Sequence, residues 1–255
     1  MSETRFAFSI PTNNPEEQTQ LFDGFKAAGF AGLQLKGGQY ARYVEQPQQF
    51  LEEWGHDKGM SAGLIYGGGL DESGVAALRR VFEFAQAVGS EIVIFCHAHS
   101  RASVTDDEVR GFARQLSSLG TEAQQRGVKL SLHNHFDNPV MYRADFETFF
   151  ESVTPGSIGL TLDTAHLQKS GVFDIAGVVR DYAAFIDNVH LKDFADGQFK
   201  TLGRGEINFD EIFAALHDIK FAGWLCADEE SETGIEESLR ASFDFIARGW
   251  GSKAN

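Results

Sequence analysis

The sequence is poor in cysteine and in proline. Its 255 residues include two cysteines, Cys96 and Cys226, which lie in separate apolar segments. Such a pair is typical of buried free thiols in a reducing compartment and argues against a disulfide-stabilised fold, so we expect a cytoplasmic protein. Only five prolines interrupt the chain, while 42% of the residues are hydrophobic and 23% are charged. This composition is that of an ordered globular protein.

Long hydrophobic runs are also missing. The longest uninterrupted aliphatic or aromatic run covers residues 92–96, far short of the ~20 residues that cross a bilayer as a helix. Residues 1–15 lack the positively charged start and following apolar stretch of a secretory signal. We therefore expect a soluble protein that neither crosses a membrane nor is exported.

Positive charge is scarce relative to negative charge. The chain has 22 lysines and arginines against 37 aspartates and glutamates, which gives a formal net charge of −15 at pH 7. A surface of this sign repels phosphate backbones and anionic membranes, so we expect neither as a partner. A local basic pocket remains compatible with a small anion.

The sequence does contain a series of short apolar segments rich in β-branched and aromatic residues. They are RFAFSI from Arg5, FAGLQLKG from Phe30, SAGLIYGG from Ser61, EIVIFCHAH from Glu91, VKLSLHNH from Val128, IGLTLDTAH from Ile158, IDNVHLKD from Ile186 and WLCADEES from Trp224. Their starts lie roughly 30 residues apart, which suits a strand, a loop and a helix and is too far for hairpins. The pattern predicts an α/β protein, a single-domain (β/α)8 TIM barrel over residues 1–255. A doubly wound sheet is the alternative fold, although no GxGxxG follows the first strand.

Helix start signals occur between these segments. Thr105 and Thr233 are each followed three residues later by a glutamate, the spacing of a capping box. Asp145 before FETFF and Asp174 before IAGVV are predicted N-caps of the same kind.

Polar residues cluster where the last four predicted strands end. In a parallel barrel all carboxyl ends open on one face, so side chains distant in sequence meet in one pocket. The residues concerned are His133 and His135 on strand five, Asp163 and His166 on or after strand six, His190 and Lys192 on strand seven, and Asp228 and Glu230 on strand eight. One imidazole from each of strands five and seven and one carboxylate from each of strands six and eight form the mixed nitrogen and oxygen set that suits Mn²⁺, Co²⁺ or Zn²⁺. The sequence therefore predicts a divalent metal ion.

We predict that the metal ligands are His133, Asp163, His190 and Asp228. Glu230 is an alternative to Asp228, because alternation along the strand turns both inward and the glutamate reaches further. An ion-pair network closing the barrel mouth is the other interpretation, but burying so many ionisable groups without a cation is costly. His97 and His99, at the end of strand four, are interpreted as hydrogen-bonded core or rim residues.

Four motifs, in this order, resemble the xylose-isomerase-like TIM-barrel superfamily, specifically its sugar phosphate isomerase/epimerase branch. They are LDTAH from Leu162, VHLKD from Val189, LGRGEINF from Leu202 and GWLCADEES from Gly223, and the resemblance spans nearly the whole chain from Arg5. In that family the carboxylate of Asp-x-x-His and the histidine of His-x-Lys-Asp bind metal. The resemblance thus implies these roles for Asp163 and His190.

Two positions depart from the family pattern. The strand-five ligand of the family is often a glutamate, where this chain has His133, and the strand-eight ligand is usually a glutamate, where it has Asp228. Epimerases of the family use that glutamate pair as opposed acid and base groups. An inosose dehydratase group of the superfamily has a histidine-rich strand-five motif, which HNH at 133–135 resembles. His135 and His166 match positions that touch substrate or transfer protons in relatives.

The resemblance and the candidate site together predict a divalent-metal-dependent isomerase or epimerase of a keto-sugar, a sugar phosphate or a related polyol. His135 or His166 would remove the proton α to a metal-bound carbonyl, giving an enediolate. Lys192, or Asp228 and Glu230, would serve the opposite face or the departing oxygen. Reprotonation gives isomerisation or epimerisation, whereas loss of a β-hydroxyl or β-alkoxyl makes the protein a dehydratase or lyase, which is the alternative. Mn²⁺ is the first choice of metal, with Co²⁺, Zn²⁺ and Mg²⁺ as alternatives.

Four further side chains are predicted to contact the substrate. They are Lys36 after strand two, Tyr66 near the end of strand three, Arg204 in LGRGEINF, and Glu230. The glycines beside Arg204 permit a close turn over the pocket, from which it can reach a phosphate or hydroxyl. A surface ion pair is the alternative role of Arg204, and a structural role at the rim of the cavity is the alternative for Lys36 and Tyr66.

Two other classes of function stay open. A non-catalytic carbohydrate-binding barrel or a subunit of a larger complex would have little use for His135, His166 and Lys192 beside a metal. Two histidines and a carboxylate also suit non-haem Fe(II) oxygen chemistry, against which a fourth ligand argues. In each case we expect a small carbohydrate partner, and a homo-oligomer is compatible with the sequence.

Overall fold

The computed structural model describes residues 4–55, 59–231 and 233–251. Its strands are β1 Arg5–Ser9, β2 Gly32–Leu35, β3 Gly63–Gly68, β4 Ile92–His97, β5 Lys129–His133, β6 Gly159–Asp163, β7 Ile186–Leu191, β8 Asp193–Ala195, β9 Gln198–Lys200 and β10 Trp224–Asp228. Its helices are α1 Pro15–Gly24, α2 Gly37–Tyr40, α3 Pro47–Trp54, α4 Glu72–Val88, α5 Asp106–Gln124, α6 Arg143–Phe150, α7 Thr164–Lys169, α8 Ile175–Asp181, α9 Phe209–Asp218 and α10 Ile235–Gly251. Ala41–Tyr43 and Arg101–Ser103 form short 3-10 helices.

Within the described residues, eight parallel strands close into a barrel. Around the ring they follow the order β1, β10, β7, β6, β5, β4, β3, β2, and β2 pairs with β1 to close it. Each segment predicted as a strand contains one strand of this barrel. The (β/α)8 TIM barrel prediction is confirmed, and the doubly wound alternative is wrong.

The remaining two strands form a hairpin that the sequence analysis missed. β8 and β9 pair antiparallel directly after β7, and Asp196 and Gly197 between them both have positive φ, 54° and 76°. An Asp-Gly pair is a strong signal for this kind of tight turn, so the signal was present in the sequence. The hairpin brings the Phe199 ring to 5.2 Å from that of His166, at the mouth of the barrel.

The helix start predictions have mixed outcomes. The capping box at Thr105 and the N-cap at Asp174 are confirmed. Asp145 is not an N-cap, because α6 begins two residues earlier, and its buried carboxylate instead accepts hydrogen bonds from the backbone N–H of Tyr142 and from Arg101. The prediction at Thr233 is also wrong, because α10 begins two residues after it.

The barrel separates an apolar layer from a polar interior. Leu130 and Leu132 of β5 belong to the large apolar core that also includes buried residues of the surrounding helices, and burying one such leucine stabilises the fold by about 1.5–3 kcal/mol. Ser131, between them, takes part in a hydrogen bond of 2.8 Å with Thr161 of β6. Alternation along the strand therefore turns polar groups toward the barrel axis.

The two cysteines are free, as predicted, with Cys226 buried and Cys96 partly buried. In the part of the chain that the structure describes, no helix combines the length and the apolar character needed to cross a membrane.

Candidate metal centre and catalytic pocket

The candidate site lies at the carboxyl ends of four adjacent strands. His133, Asp163 and Asp228 are the last residues of β5, β6 and β10, and His190 is the penultimate residue of β7. Asp163 and His190 are direct partners in the pairing of β6 with β7. All four side chains are at most 4% exposed. The barrel thus brings the four predicted ligands together as buried side chains at the carboxyl ends of the strands.

Three of the four form a compact group. Asp163 Oδ2 lies 3.4 Å from Nε2 of His133 and 3.9 Å from Nδ1 of His190, and one ligand atom from each residue lies within 4.8 Å of the others. These same three atoms are buried and have no hydrogen-bond partner among the described residues. Two nitrogens and one oxygen at such separations fit around a divalent ion that binds each at about 2.0–2.2 Å. The residues present therefore fit a metal ion.

The other nitrogen of each histidine has a partner of its own. His190 Nε2 lies 2.8 Å from Oε1 of Gln34, and two hydrogen bonds to Asn188 fix the orientation of the Gln34 amide. Because Oε1 can only accept, Nε2 carries the proton and Nδ1 has a free lone pair. Cys96 Sγ lies 3.4 Å from Nδ1 of His133, which leaves Nε2 as the unpartnered nitrogen. Such contacts orient metal-binding histidines.

Local structure also positions Asp163. Its Oδ1 accepts the backbone N–H of His166 and so caps α7, while Oδ2 faces the two histidines. Asn134 forms paired hydrogen bonds of 2.8 and 3.1 Å with the backbone N–H and C=O of Asp163, tying the ends of β5 and β6 together. Asn134, Cys96 and Gln34 were not predicted as site residues, although all three lie in the predicted strand segments and Asn134 lies within HNH at 133–135.

Asp228, the fourth predicted ligand, has different surroundings. Its Oδ2 lies 3.5 Å from His190 Nδ1 but only 2.7 Å from Lys192 Nζ, and its Oδ1 lies 2.6 Å from Lys36 Nζ. Glu230 lies 2.9 Å from both ammonium groups. Two lysines and two carboxylates thus alternate in one network beside the three-residue group. Lys36 and Glu230, predicted to contact substrate, lie in this network.

In this network, attraction between opposite charges shifts the pKa values more than burial does. Burial alone raises the pKa of Asp228, but Lys192 and then Lys36 hold it well below its usual value. Burial lowers the pKa of Lys192, but Asp228 and Asp163 raise it overall. For Asp163, burial is likewise outweighed, chiefly by Lys192, and the pKa is lowered. The carboxylates are therefore ionised and the lysines charged near neutral pH.

The His135 and His166 rings are in contact beside the three-residue group, with their planes inclined by 35°. Their ring centroids are 3.8 Å apart. Nδ1 of His166 lies 3.2 Å from the backbone nitrogen of Phe136, which donates to it, whereas Nδ1 of His135 lies 2.8 Å from the carbonyl oxygen of Phe136. One residue thus fixes opposite tautomers, with a lone pair on Nε2 of His135 and a proton on Nε2 of His166. Burial lowers the pKa of both rings, so both are neutral.

These groups line a cavity of about 370 Å³, here called the catalytic pocket. Of the predicted site residues, those that line it are Lys36, His133, His135, His166, His190, Lys192, Asp228 and Glu230. Tyr66 lines an adjoining cavity instead. His97 also lines the pocket, but its Nδ1 accepts the backbone N–H of His99 and its ring packs against Phe112, which agrees with its interpretation as a buried core or rim residue.

Arg204 lies outside the group. Asp193 accepts hydrogen bonds from the backbone N–H groups of Gly203, Gly205 and Ile207, so the glycine-rich turn wraps around that carboxylate. The Arg204 side chain is 66% exposed and lies 3.7 Å from Glu237. This contact is the surface ion pair foreseen as its alternative role.

The chain resembles inosose dehydratases in sequence. It is 24% identical over 256 residues to the inosose dehydratase of Clostridium perfringens (strain 13 / Type A), a match covering 86% of this chain and 84% of that protein. The match to inosose dehydratase 1 of Bacillus cereus (strain ZK / E33L) is 28% identical over 150 residues. It covers 51% of this chain, which thus spans about half, 50%, of the length of that relative.

Solved structures with this fold include metal-binding and sugar-converting proteins. The IOLI protein with a bound zinc atom superposes with a TM-score of 0.78 at 16% identity, over 97% of this chain and 98% of that one. An L-ribulose 3-epimerase superposes with a TM-score of 0.79 at 20% identity, over 98% and 95% of the two chains. The family model for the xylose isomerase-like TIM barrel matches residues 22–248. The chain belongs to the xylose isomerase-like TIM barrel family.

Proposed function

We propose that this protein is a divalent-metal-dependent lyase that removes water or an alcohol from a keto-sugar or keto-polyol. The observation that carries the proposal is the His135 and His166 pair, whose opposite tautomers are fixed by Phe136 beside the three-residue metal group. The sequence similarity to inosose dehydratases supports the same reaction class.

His133, Asp163 and His190 would hold the metal ion. A divalent ion bound by two nitrogens and one oxygen polarises a substrate carbonyl, which makes the neighbouring C–H bond acidic. Mn²⁺ is the proposed ion, and the mixed histidine and carboxylate groups present would suit it.

His135 is the proposed general base. Its Nε2 lone pair takes the proton from the carbon next to the ketone, and the electron pair of that C–H bond becomes the new C=C bond as the β-carbon to oxygen bond breaks. The protonated ring then gives the same proton to the departing oxygen, so the products are an unsaturated ketone and water or an alcohol. The N–H at Nε2 of His166 donates a hydrogen bond to a substrate oxygen and orients it.

Lys192 is assigned an electrostatic role. Its ammonium group is buried, lies 3.6 Å from Asp163 and 2.7 Å from Asp228, and stays charged. A fixed positive charge at this point stabilises the negative charge that develops on the substrate oxygens.

The charged network favours elimination over epimerisation. Epimerisation needs a second proton-transfer group besides the histidines, and the other carboxylates of the pocket, Asp228 and Glu230, are each ion-paired with two lysines. Isomerisation is the second candidate, because one base can return a proton to the adjacent carbon. The resemblance of the motifs to the isomerase branch supports that outcome.

The test is product analysis in D₂O with Mn²⁺-loaded protein, using an inosose and a keto-hexose as substrates. A product lighter by one water supports the lyase, and deuterium incorporation at unchanged composition supports the isomerase. We expect His135→Gln to lower kcat about 10²-fold or more, while His217→Gln, on helix α9, leaves it unchanged. Conversion of neither substrate would contradict both reactions.

The same experiment run without oxygen tests Fe(II) chemistry. Two histidines and one carboxylate also match the composition of non-haem Fe(II) sites. Full turnover under anaerobic conditions excludes that reading.

A further inference from the structure

A second cavity adjoins the catalytic pocket, between the ends of β2 and β3 and helix α4. Its volume is about 390 Å³, close to the 370 Å³ of the catalytic pocket, and the two share Gly37, Ile65 and Gly67 as lining residues. We call it the side cavity. Each volume alone lies in the range of small-molecule sites, so the two together offer more space than one sugar ring needs.

The wall of the side cavity is mainly apolar. Its carbon surface comes from Tyr40, Val44, Ile65, Tyr66, Ala77 and Val81. Val81 and Tyr40 are buried, while Val44, Ile65, Tyr66 and Ala77 are half-buried beside the opening. An occupant that covers these groups removes apolar surface from water on both sides.

The polar groups of the cavity already have partners. The hydroxyl of Tyr40 donates to the carbonyl of Ile65 at 3.0 Å, and that of Tyr66 donates to the carbonyl of Gly74 at 3.3 Å. Arg80, the one cation among the lining residues described for the side cavity, lies 3.1 Å from Glu45 at its rim. A phosphate would meet a cation that is already paired with a carboxylate. A second sugar ring would meet tyrosine hydroxyls that already donate to carbonyl groups.

The boundary between the two cavities is open. A Cβ atom added at Gly37 or at Gly67 meets no atom within 4 Å. Glycine at both positions therefore places no side chain between the two cavities.

We propose that the side cavity binds an apolar aryl or alkyl substituent of the substrate, so that the substrate is a keto-sugar glycoside or ether. This inference rests on the proposed function, because it takes the sugar to lie in the catalytic pocket. The reaction is then the same elimination, with an alcohol or phenol in place of water. In a 3-keto-glucoside the glycosidic oxygen is β to the ketone, so the substituent is the departing group.

The test compares the binding of methyl and phenyl 3-keto-glucosides to the full-length Mn²⁺-loaded protein by calorimetry. We expect the phenyl compound to bind about tenfold more tightly, because the phenyl ring covers apolar surface that the methyl group cannot reach. Ala77→Phe fills the side cavity from α4 and should bring the affinity ratio close to one. Ala76→Phe, at the exposed neighbouring position of the same helix, should leave the ratio unchanged.

Equal affinities for the two compounds in the parent protein, or no binding of either, would overturn the assignment of the side cavity. A phenyl preference that persists in Ala77→Phe would also overturn it. The melting temperatures of Ala76→Phe and Ala77→Phe are compared to establish that both variants are folded. Turnover is measured separately. A phenyl preference that Ala77→Phe abolishes, without release of phenol or any other conversion, supports the side cavity and contradicts the proposed reaction.

Discussion

At the scale of single residues, each of the three side chains of the candidate metal centre has one polar atom with a partner and one without. Gln34 engages Nε2 of His190, Cys96 lies against Nδ1 of His133, and a backbone N–H of α7 engages Oδ1 of Asp163. A buried polar atom without a partner costs about 1–3 kcal/mol, and here three such atoms converge. A bound ion would satisfy all three at once.

The sequence predicted the positions of the residues at the strand ends better than it predicted the residues that hydrogen-bond to them. His133, Asp163 and His190 follow from strand alternation and the common face of a parallel barrel. Gln34 was missed because it lies on β2, across the barrel from β7, and no local pattern tells which side chain it reaches. Arg204 lies apart from these residues, with its side chain beside Glu237, in a turn whose backbone N–H groups donate to Asp193.

The first prediction concerns Gln34 as a positioning residue. Gln34→Met keeps the length of the side chain but removes the acceptor that fixes the proton on Nε2 of His190. We expect the affinity for Mn²⁺ to fall about 10- to 100-fold, since His190 loses its fixed tautomer. Calorimetric titration measures the affinity, and ¹⁵N NMR of the histidine ring reports the tautomer.

Gln115→Met is the matched control for this change. The Gln115 amide donates to the carbonyl of Leu70 at 2.7 Å, outside the catalytic pocket, so its loss should leave metal affinity unchanged. An unchanged affinity and tautomer in Gln34→Met would remove Gln34 from the metal site.

At the scale of elements, β7 carries chemistry at both of its ends. Asp187, near its beginning, accepts a hydrogen bond of 2.7 Å from Ser131 of β5. A Cβ at position 159 would collide with the Asp187 carboxylate, so β6 begins with a glycine that makes room for it. Burial raises the pKa of Asp187 to about 7, against the smaller lowering effect of the Ser131 hydrogen bond.

The second prediction concerns the pH dependence that Asp187 confers on stability. The unfolded chain releases this proton near the ordinary aspartate pKa of about 4, whereas the folded chain holds it until about pH 7. The folded state therefore binds more protons between these two pH values. The stability that the protonated Asp187 carboxyl contributes is lost as the pH rises. The unfolding free energy of the parent should fall by about 2 kcal/mol from about pH 5.5 to about pH 8 because of Asp187. In Asp187→Asn this fall should be absent.

Urea unfolding at both pH values measures this difference. The exposed Asp23 on α1 gives the control, because Asp23→Asn should leave the pH dependence of the parent intact. A parent and an Asp187→Asn variant with the same pH dependence would show that Asp187 is already ionised in the folded protein.

At the scale of the whole molecule, repetition made the fold predictable. Each strand segment has its own apolar pattern, and the spacing of the segments permits only parallel connections, so errors in single helix starts did not change the barrel. The cavities were beyond the sequence, since Tyr66 lines the side cavity only through the packing of α2, β3 and α4. Sequence periodicity indicates which face of a strand or helix a side chain lies on. It does not give the distance between neighbouring elements, which determines where a cavity forms.

The third prediction concerns the stability that metal binding gives to the whole barrel. At a Mn²⁺ concentration about 100 times its Kd, binding to the folded state alone adds about 2.7 kcal/mol, which raises Tm by about 5–10 °C for a chain of this size. Asp163→Asn keeps the Oδ1 that caps α7 but loses the anionic ligand, so its Tm should not respond to Mn²⁺. Asp174→Asn alters another aspartate N-cap, at α8, and should retain the full response. Equal responses in both variants, measured by scanning calorimetry, would mean that β5, β6 and β7 do not meet around an ion.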